Sequence, residues 1–403
     1  MRKLDIQSAS FKVAPHAILD EARQDGPFAV AKIPFLGLTK LALSHEAAHA
    51  VLKDTDRFAL DARNAGHKRP LGLAFMPGSL RLLSENILSL DDPDHQRLRR
   101  LADAPFRRAA IESGRERIAA QVDTYLDEVA GQSKDGAEVD LVETVFRPLP
   151  LQVIANMLGL TDGARERLAK TMSAFTGVSG TIGILRALGS MGSVVKQLRV
   201  EIEAARLNPQ EGLLSALIHA EEEGGKMSED ELVSLVLVLF VAGHDTTTNL
   251  LSSGLYTLLH EPGALQTAKS LDEDGWRTAV DELMRFAMPV HITKPRFAKQ
   301  DTDVSGVSIK KGEKVMACLG AANLDPAVFE DPLKLDLNRR PNRHTGWGGG
   351  PHICLGLHLA KMETELTLSK IVERWPDLSF GDGLKWAKRM GVRGLEKMPM
   401  RLA

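Results

Sequence analysis

The chain is short of the residues that most often mark a protein's compartment or partner. Its 403 residues include two cysteines, Cys318 and Cys354, and two tyrosines, and aromatics make up 5%. Two cysteines exclude a disulfide-rich scaffold and an iron–sulfur set. No Cys-x-x-Cys or His pair accompanies them to complete the four ligands of structural zinc. Neither charge dominates: 51 Lys and Arg stand against 53 Asp and Glu, a net charge of −2, which gives no sign of nucleic-acid binding. The longest largely apolar run, Leu232 to Ala242, falls short of the roughly 20 residues a bilayer requires. The opening Met1-Arg2-Lys3-Leu4-Asp5 is polar and has no signal-peptide core. These absences predict a cytoplasmic protein that crosses no membrane. No Pro/Gly/Ser linker, repeat or low-complexity tract divides residues 1–403, so they are read as one large domain. A 43% hydrophobic content is ample for a sizeable core.

Periodicity supplies the rest of the outline. Weak alternation from Pro34 to Leu43 predicts a β-hairpin, followed by a helix from His45 to Lys53. From Asp94 onward helices dominate, over 94–108, 111–131, 140–157, 163–175, 192–206, 211–221, 229–260, 275–287 and 356–375. Short strands are predicted near 289–298, 303–309 and 314–318, and the segment 378–402 reads as β with loops. The class is mainly α with a minor β part.

Chemistry concentrates in Trp347-Gly348-Gly349-Gly350-Pro351-His352-Ile353-Cys354-Leu355-Gly356. Here one thiol lies between a glycine-rich loop and the predicted start of a helix. A helix N-terminus carries partial positive charge and unpaired N–H groups, which favour the thiolate, the form that binds metal. The glycines let a flat, bulky group approach the backbone. Taken alone, Cys354 also reads as a small buried apolar residue or as a disulfide partner of Cys318.

Further upstream, Ser228 with Glu231 makes a capping box at the start of a long apolar helix. In its middle stands Ala242-Gly243-His244-Asp245-Thr246-Thr247-Thr248. An acid and three hydroxyls inside a buried helix are costly unless bonded. One reading has the threonines bonding to carbonyls a turn earlier while Asp245 reaches the surface or a basic partner. The other has Gly243 letting the helix open beside a cofactor, Thr246 holding water or dioxygen, and Asp245 supplying protons. Glu282 and Arg285 sit three apart on one helix face, a spacing shared by Glu112/Arg115 and Glu203/Arg206. His95 and Arg99 sit four apart on another face.

The thiol loop, the Ala-Gly-x-Asp-Thr-Thr order and the Glu-x-x-Arg pair together resemble the cytochrome P-450 family across nearly the whole chain. The resemblance implies that fold, and heme b (iron protoporphyrin IX) with Cys354 as axial ligand. It places Gly348, Gly350, Gly356, Ala242 and Gly243 against the cofactor, and His95, Arg99, Arg296 and His352 at its propionates. Asp245 and Thr246 would guide proton delivery, while Glu282, Arg285 and Arg339 would brace the core. Two departures stand out: Trp347 replaces the usual Phe, and Asn323-Leu324-Asp325-Pro326 lacks the usual arginine. The family's pocket suggests Phe75, Met76, Leu239, Ala242, Val290, Ile292 and Met390 as lining, with Thr171 to Val195 as a lid. The implied activity is insertion of one oxygen atom from O2 into a hydrophobic small molecule. Electrons would come from an acidic ferredoxin or flavodoxin with its NAD(P)H-dependent reductase. Its docking patch would comprise Arg97, Arg100, Arg107, Arg108, Arg339, Arg340, Arg343 and Lys361. The protein is expected to be a monomer without nucleic-acid partners. A peroxide-driven peroxygenase and a non-catalytic heme sensor are the rival readings.

Overall fold

The computed structural model describes all residues except 35, 68–81, 83–84, 173–179, 223–226, 390 and 403. The expected residues Phe75, Met76 and Met390 therefore lie outside the described residues. The chain groups into two compact units, one of Met1–Lys68, Ala119–Phe146 and Thr246–Ala403, the other of Arg69–Ile118 and Arg147–Asp245.

The first unit holds a six-stranded sheet in the order Lys3–Leu4, Phe28–Ile33, Gly37–Ala42, Lys314–Ala317, Arg296–Ala298, Phe58–Ala59. Strand alternation splits its side chains between two cores. Leu41, Leu43, Met316 and Cys318 join one apolar cluster, with Phe11 and Leu19 from the helices Ala9–Val13 and Pro15–Gln24. Ala42, Val315 and Ala317 join the other, with Ala47, Val51 and Leu52 from the helix His45–Lys53. That helix starts where Ser44 Oγ accepts the Ala47 N–H at 3.2 Å, a side-chain N-cap. The hairpin is longer than expected and begins earlier: Phe28 pairs with Ala42 and Ile33 with Gly37. Its first strand, Phe-Ala-Val-Ala-Lys-Ile, lacks clean alternation because five of its six residues are apolar.

The same unit contains the helices Glu273–Ala287 and Leu357–Arg374, and three small sheets. The second unit is helical among its described residues: Asp94–Asp103, Arg108–Ser113, Pro148–Leu158, Asp162–Met172, Gly180–Leu207 and Leu213–Glu222. The expected helix 94–108 ends at Asp103 because Pro105 interrupts it, and a short 3-10 turn follows. Most of the expected lid is helical: Gly180 opens a 28-residue helix well before the predicted start at 192.

One 32-residue helix, Glu229–His260, supplies residues to both units. Its capping box forms: Ser228 N–H donates to Glu231 Oε2 at 2.8 Å, and Glu231 N–H to Ser228 Oγ at 3.3 Å. The helix outruns the apolar run from Leu232 to Ala242, and by length and composition it could cross a membrane. Most of its apolar window is buried inside the protein, as in a core helix.

Candidate functional site

Cys354 lies in a loop fixed at several points. Its N–H donates to Trp347 O at 2.9 Å, Gly348 N–H to Thr345 O at 2.8 Å, and Ile353 N–H to Gly350 O at 3.1 Å. Two close approaches clamp the loop within its unit. A Cβ on Gly346 would lie 2.5 Å from Met284 Cγ, and one on Gly350 would lie 2.5 Å from Leu52 O. Gly348 and Gly350 also hold φ of +74° and +66°, a left-handed backbone that glycine adopts without strain. Gly356 differs: a Cβ there would meet no protein atom within 4 Å. The helix Leu357–Arg374 begins immediately afterwards.

Both cysteines are free, which removes the disulfide reading. They occupy opposite environments. Cys318 is fully buried, and burial pushes its thiol up to about 12, so it stays protonated. Cys354 is half-buried, and its neighbour Ile353 is 41% exposed although apolar. No group of three or more His, Cys, Asp or Glu side chains forms a metal-binding cluster among the described residues. A lone thiol of this kind fits an iron whose remaining ligands come from a macrocycle. The open space beside Gly356 and the accessible Ile353 fit a flat group lying against the loop.

On the long helix the described residues show one accessible stripe in an otherwise buried rod. Val241, Ala242 and Thr246 are exposed, Val238 and Asp245 are half-buried, and Phe240, His244 and Thr247 to Leu250 are buried. Positions 238, 241, 242, 245 and 246 fall on one helix face. Ala242, Asp245 and Thr246 are therefore brought together, and Val238 and Val241 join them. Those two valines were not foreseen, although the 3.6-residue period running back from Asp245 points to both. Thr248 is set apart, with its hydroxyl donating to Phe146 O at 2.8 Å, a partner outside its own helix.

Several expected roles change. The helix does not open at Gly243: it is continuous from Glu229 to His260, and a Cβ there would lie 3.1 Å from Ile154 Cγ1, so the glycine makes room for the helix Pro148–Leu158. Leu239 is 8% exposed and off the accessible stripe. Ile292 is 7% exposed and belongs to the apolar cluster around Cys318 and Met316. Val290 is half-buried.

Among the residues expected at the cofactor's carboxylates, Arg296 opens the strand Arg296–Ala298 and is 4% exposed. His352 closes the 3-10 turn Gly350–His352 and is half-buried. In the other unit, His95 is 3% exposed on the helix Asp94–Asp103, with Nδ1 3.2 Å from Asp92 Oδ1, and Arg99 follows one turn later, half-buried. Burial lowers the His95 pKa, opposed in part by Asp92.

Glu282 and Arg285 are both fully buried and joined by two bonds, Nε to Oε2 at 2.8 Å and Nη2 to Oε1 at 2.7 Å. Arg285 also donates to the carbonyls of Asn323, Pro332 and Lys334. Glu282 further accepts from Arg339 Nε at 3.2 Å, the Asp336 N–H at 2.9 Å and Asn342 Nδ2 at 3.1 Å. The charges are satisfied on every side, as a buried ion pair requires.

The expected basic patch is largely neutralised inside the protein. Arg97 pairs with Asp94 and Glu231, Arg107 with Asp103, Arg339 with Glu282 and Lys361 with Asp281. Arg340 donates to Thr278 Oγ1. The acids that neutralise Arg97, Arg339 and Lys361 lie more than fifty residues away in sequence.

The family model "Cytochrome P450" matches residues 188–269 and 277–376. The polyketide biosynthesis cytochrome P450 PksS of Bacillus subtilis is 33% identical over 96% of this chain and 96% of its own. Its solved structure superposes with a TM-score of 0.88 over 99% of this chain and 100% of that one. The 6-deoxyerythronolide B hydroxylase of Saccharopolyspora erythraea is 32% identical over 99% of this chain and 98% of its own. P450BioI, solved with a hexadec-9Z-enoic acid-ligated acyl carrier protein, superposes with a TM-score of 0.87 at 29% identity, covering 98% and 100% of the two chains.

Proposed function

The chain belongs to the cytochrome P450 family and is a monooxygenase; we propose that it hydroxylates or epoxidises a hydrophobic small organic substrate, with heme b as its cofactor and electrons from a separate ferredoxin or flavodoxin and its reductase. The observation that carries this reading is the solvent-reached thiol of Cys354, on a glycine loop at a helix start, with open space beside Gly356.

When bound, the heme supplies the iron at which dioxygen is reduced and cleaved. Cys354 supplies the sulfur ligand, and a thiolate there donates electron density that favours O–O cleavage. The N-terminus of the helix Leu357–Arg374 favours the thiolate form. Arg296, His352, His95 and Arg99 are the cations for the cofactor's carboxylates, with Arg best suited by its paired donors. Thr246 Oγ1 holds a water or the reacting dioxygen, and Asp245 one residue earlier takes up and releases the proton. Val238, Val241 and Ala242 make the apolar floor beside them, which suits a hydrophobic substrate. That PksS acts in polyketide biosynthesis and that P450BioI was solved with an acyl chain on a carrier protein point to a substrate rich in carbon chain.

The decisive test is the spectrum of the reduced, carbon monoxide-treated holoprotein. The red-shifted Soret band of thiolate ligation is expected, and Cys354→Ala should abolish it. An unchanged spectrum in that variant would sink the assignment. Turnover driven by peroxide alone, at the rate of the full electron-transfer chain, would favour the peroxygenase reading instead.

A further inference from the structure

The approach to Arg296 contains one residue too many for a regular sheet. Ile292 bridges Cys318, and Arg296 pairs with Val315, so four steps along one strand answer three along the other. The surplus falls at Lys294-Pro295. Just before it, the Thr293 N–H donates to Ala317 O at 3.0 Å, but the Ala317 N–H turns to a side chain, Thr293 Oγ1, at 3.1 Å. Proline has no N–H to return to the ladder and keeps the residue before it extended. A bulge of this kind re-aims the side chains at it.

The residue at the bulge is Lys294, and its surroundings are unusual. The side chain is accessible to solvent. Its ammonium is nonetheless poorly hydrated, and burial pushes it down to about 8. A lysine on an outer surface keeps its hydration, and one packed in a core is not accessible. Both conditions hold together for a side chain lying in a hollow walled by protein. At neutral pH it remains mostly protonated, so the hollow holds a dehydrated cation, which gains most from a paired anion.

We propose that Lys294 is a carboxylate anchor, binding in this hollow either a heme propionate or the carboxyl end of an acyl substrate. The proposal rests on the monooxygenase reading and deepens it by naming the polar group that the apolar substrate or the cofactor presents. Arg296, two residues on, is 4% exposed and serves as a fixed neighbour. Lys294 is the adaptable one, a flexible point charge rather than a rigid fork.

The test uses the full holoenzyme with Lys294→Met and Lys294→Arg, and reads two quantities. One is the spectral dissociation constant for dodecanoic acid and for methyl dodecanoate. The other is the rate of heme transfer to excess apomyoglobin. If the carboxylate is the substrate's, Lys294→Met weakens the acid by about tenfold or more, leaves the ester and heme transfer as they were, and Lys294→Arg restores the acid. If it is a propionate, Lys294→Met speeds heme transfer several-fold, Lys294→Arg restores it, and the acid-to-ester ratio stays constant. No change in either quantity overturns the proposal. Lys294→Gln carries the same comparison should the methionine variant fail to fold. The underlying reading is checked independently by the carbon monoxide spectrum of the unaltered chain, which does not depend on Lys294.

Discussion

At the scale of single residues, the two loop glycines separate two demands. Gly350 answers to the protein, since a side chain there meets Leu52 O and must hold φ at +66°. Gly350→Ala should destabilise the fold by about 2 kcal/mol or more, read by urea unfolding, because strain and overlap add. Gly356 faces no protein atom and has an ordinary φ. Gly356→Ala should leave apoprotein stability unchanged within about 0.5 kcal/mol and lower heme occupancy. A loss of apoprotein stability equal to that of Gly350→Ala would contradict this division. Glu282 answers to neither cofactor nor solvent. Glu282→Gln leaves Arg285 and Arg339 buried without their counter-charge and should cost about 3–5 kcal/mol or prevent accumulation of folded protein. Retention of full stability in that variant would show that the pair does not brace the core.

At the scale of elements, the long helix carries two threonines with different tasks two residues apart. Thr246 lies on the accessible stripe with Ala242 and Asp245. Thr246→Ala should lower product formation by about tenfold or more while reduced nicotinamide is still consumed, because proton delivery fails and electron use does not. Thr248 is buried and donates to Phe146 O. Thr248→Val should cost about 1–3 kcal/mol of stability by leaving that carbonyl without its partner, and should leave coupling of electrons to product unaltered. Equal coupling in the two variants would remove the stripe's functional meaning.

At the scale of the whole molecule, acid stability is set by histidines the fold refuses to charge. Burial first, then the charge of Arg393, lowers His291 to about 3 and His16 to about 4. In the unfolded chain both protonate near about 6.5. Below that pH the unfolded chain binds protons that the fold excludes, so the histidines' contribution is full above about 6.5 and is lost as pH falls towards 4. Each accounts for about 1.4 kcal/mol per pH unit. Glu363 works in the opposite direction: burial pushes it up to about 8, so its cost grows as pH rises from about 4.5 to 8. Stability should therefore peak near neutrality and fall in acid, and His291→Leu, set against Phe11, should flatten the acid side. Urea unfolding from pH 4.5 to 7 reads this, and an acid limb as steep in His291→Leu as in the parent would refute it.

Local chemistry was legible in the chain by itself. The capping box of Ser228 and Glu231, the glycine loop with its thiol, and the long helix from Glu229 to His260 follow from neighbours within a few residues, and the structure shows each of them. The bias towards helix with a minor sheet follows from the same periodicities. What needed the tertiary structure was burial and partnership. Glu-x-x-Arg occurs three times, and at Glu282/Arg285 alone do Asn323, Pro332, Lys334 and Arg339 enclose the pair, while Glu203 of another copy stays exposed. Gly243 reads equally as an opening or as a contact until Ile154 arrives against it. Lys361 reads as a free cation until Asp281, eighty residues away, neutralises it. Short-range hydrogen bonding and backbone sterics act along the chain and are written in it; dielectric environment and charge pairing are set by segments far apart in sequence, which meet only when the chain is folded.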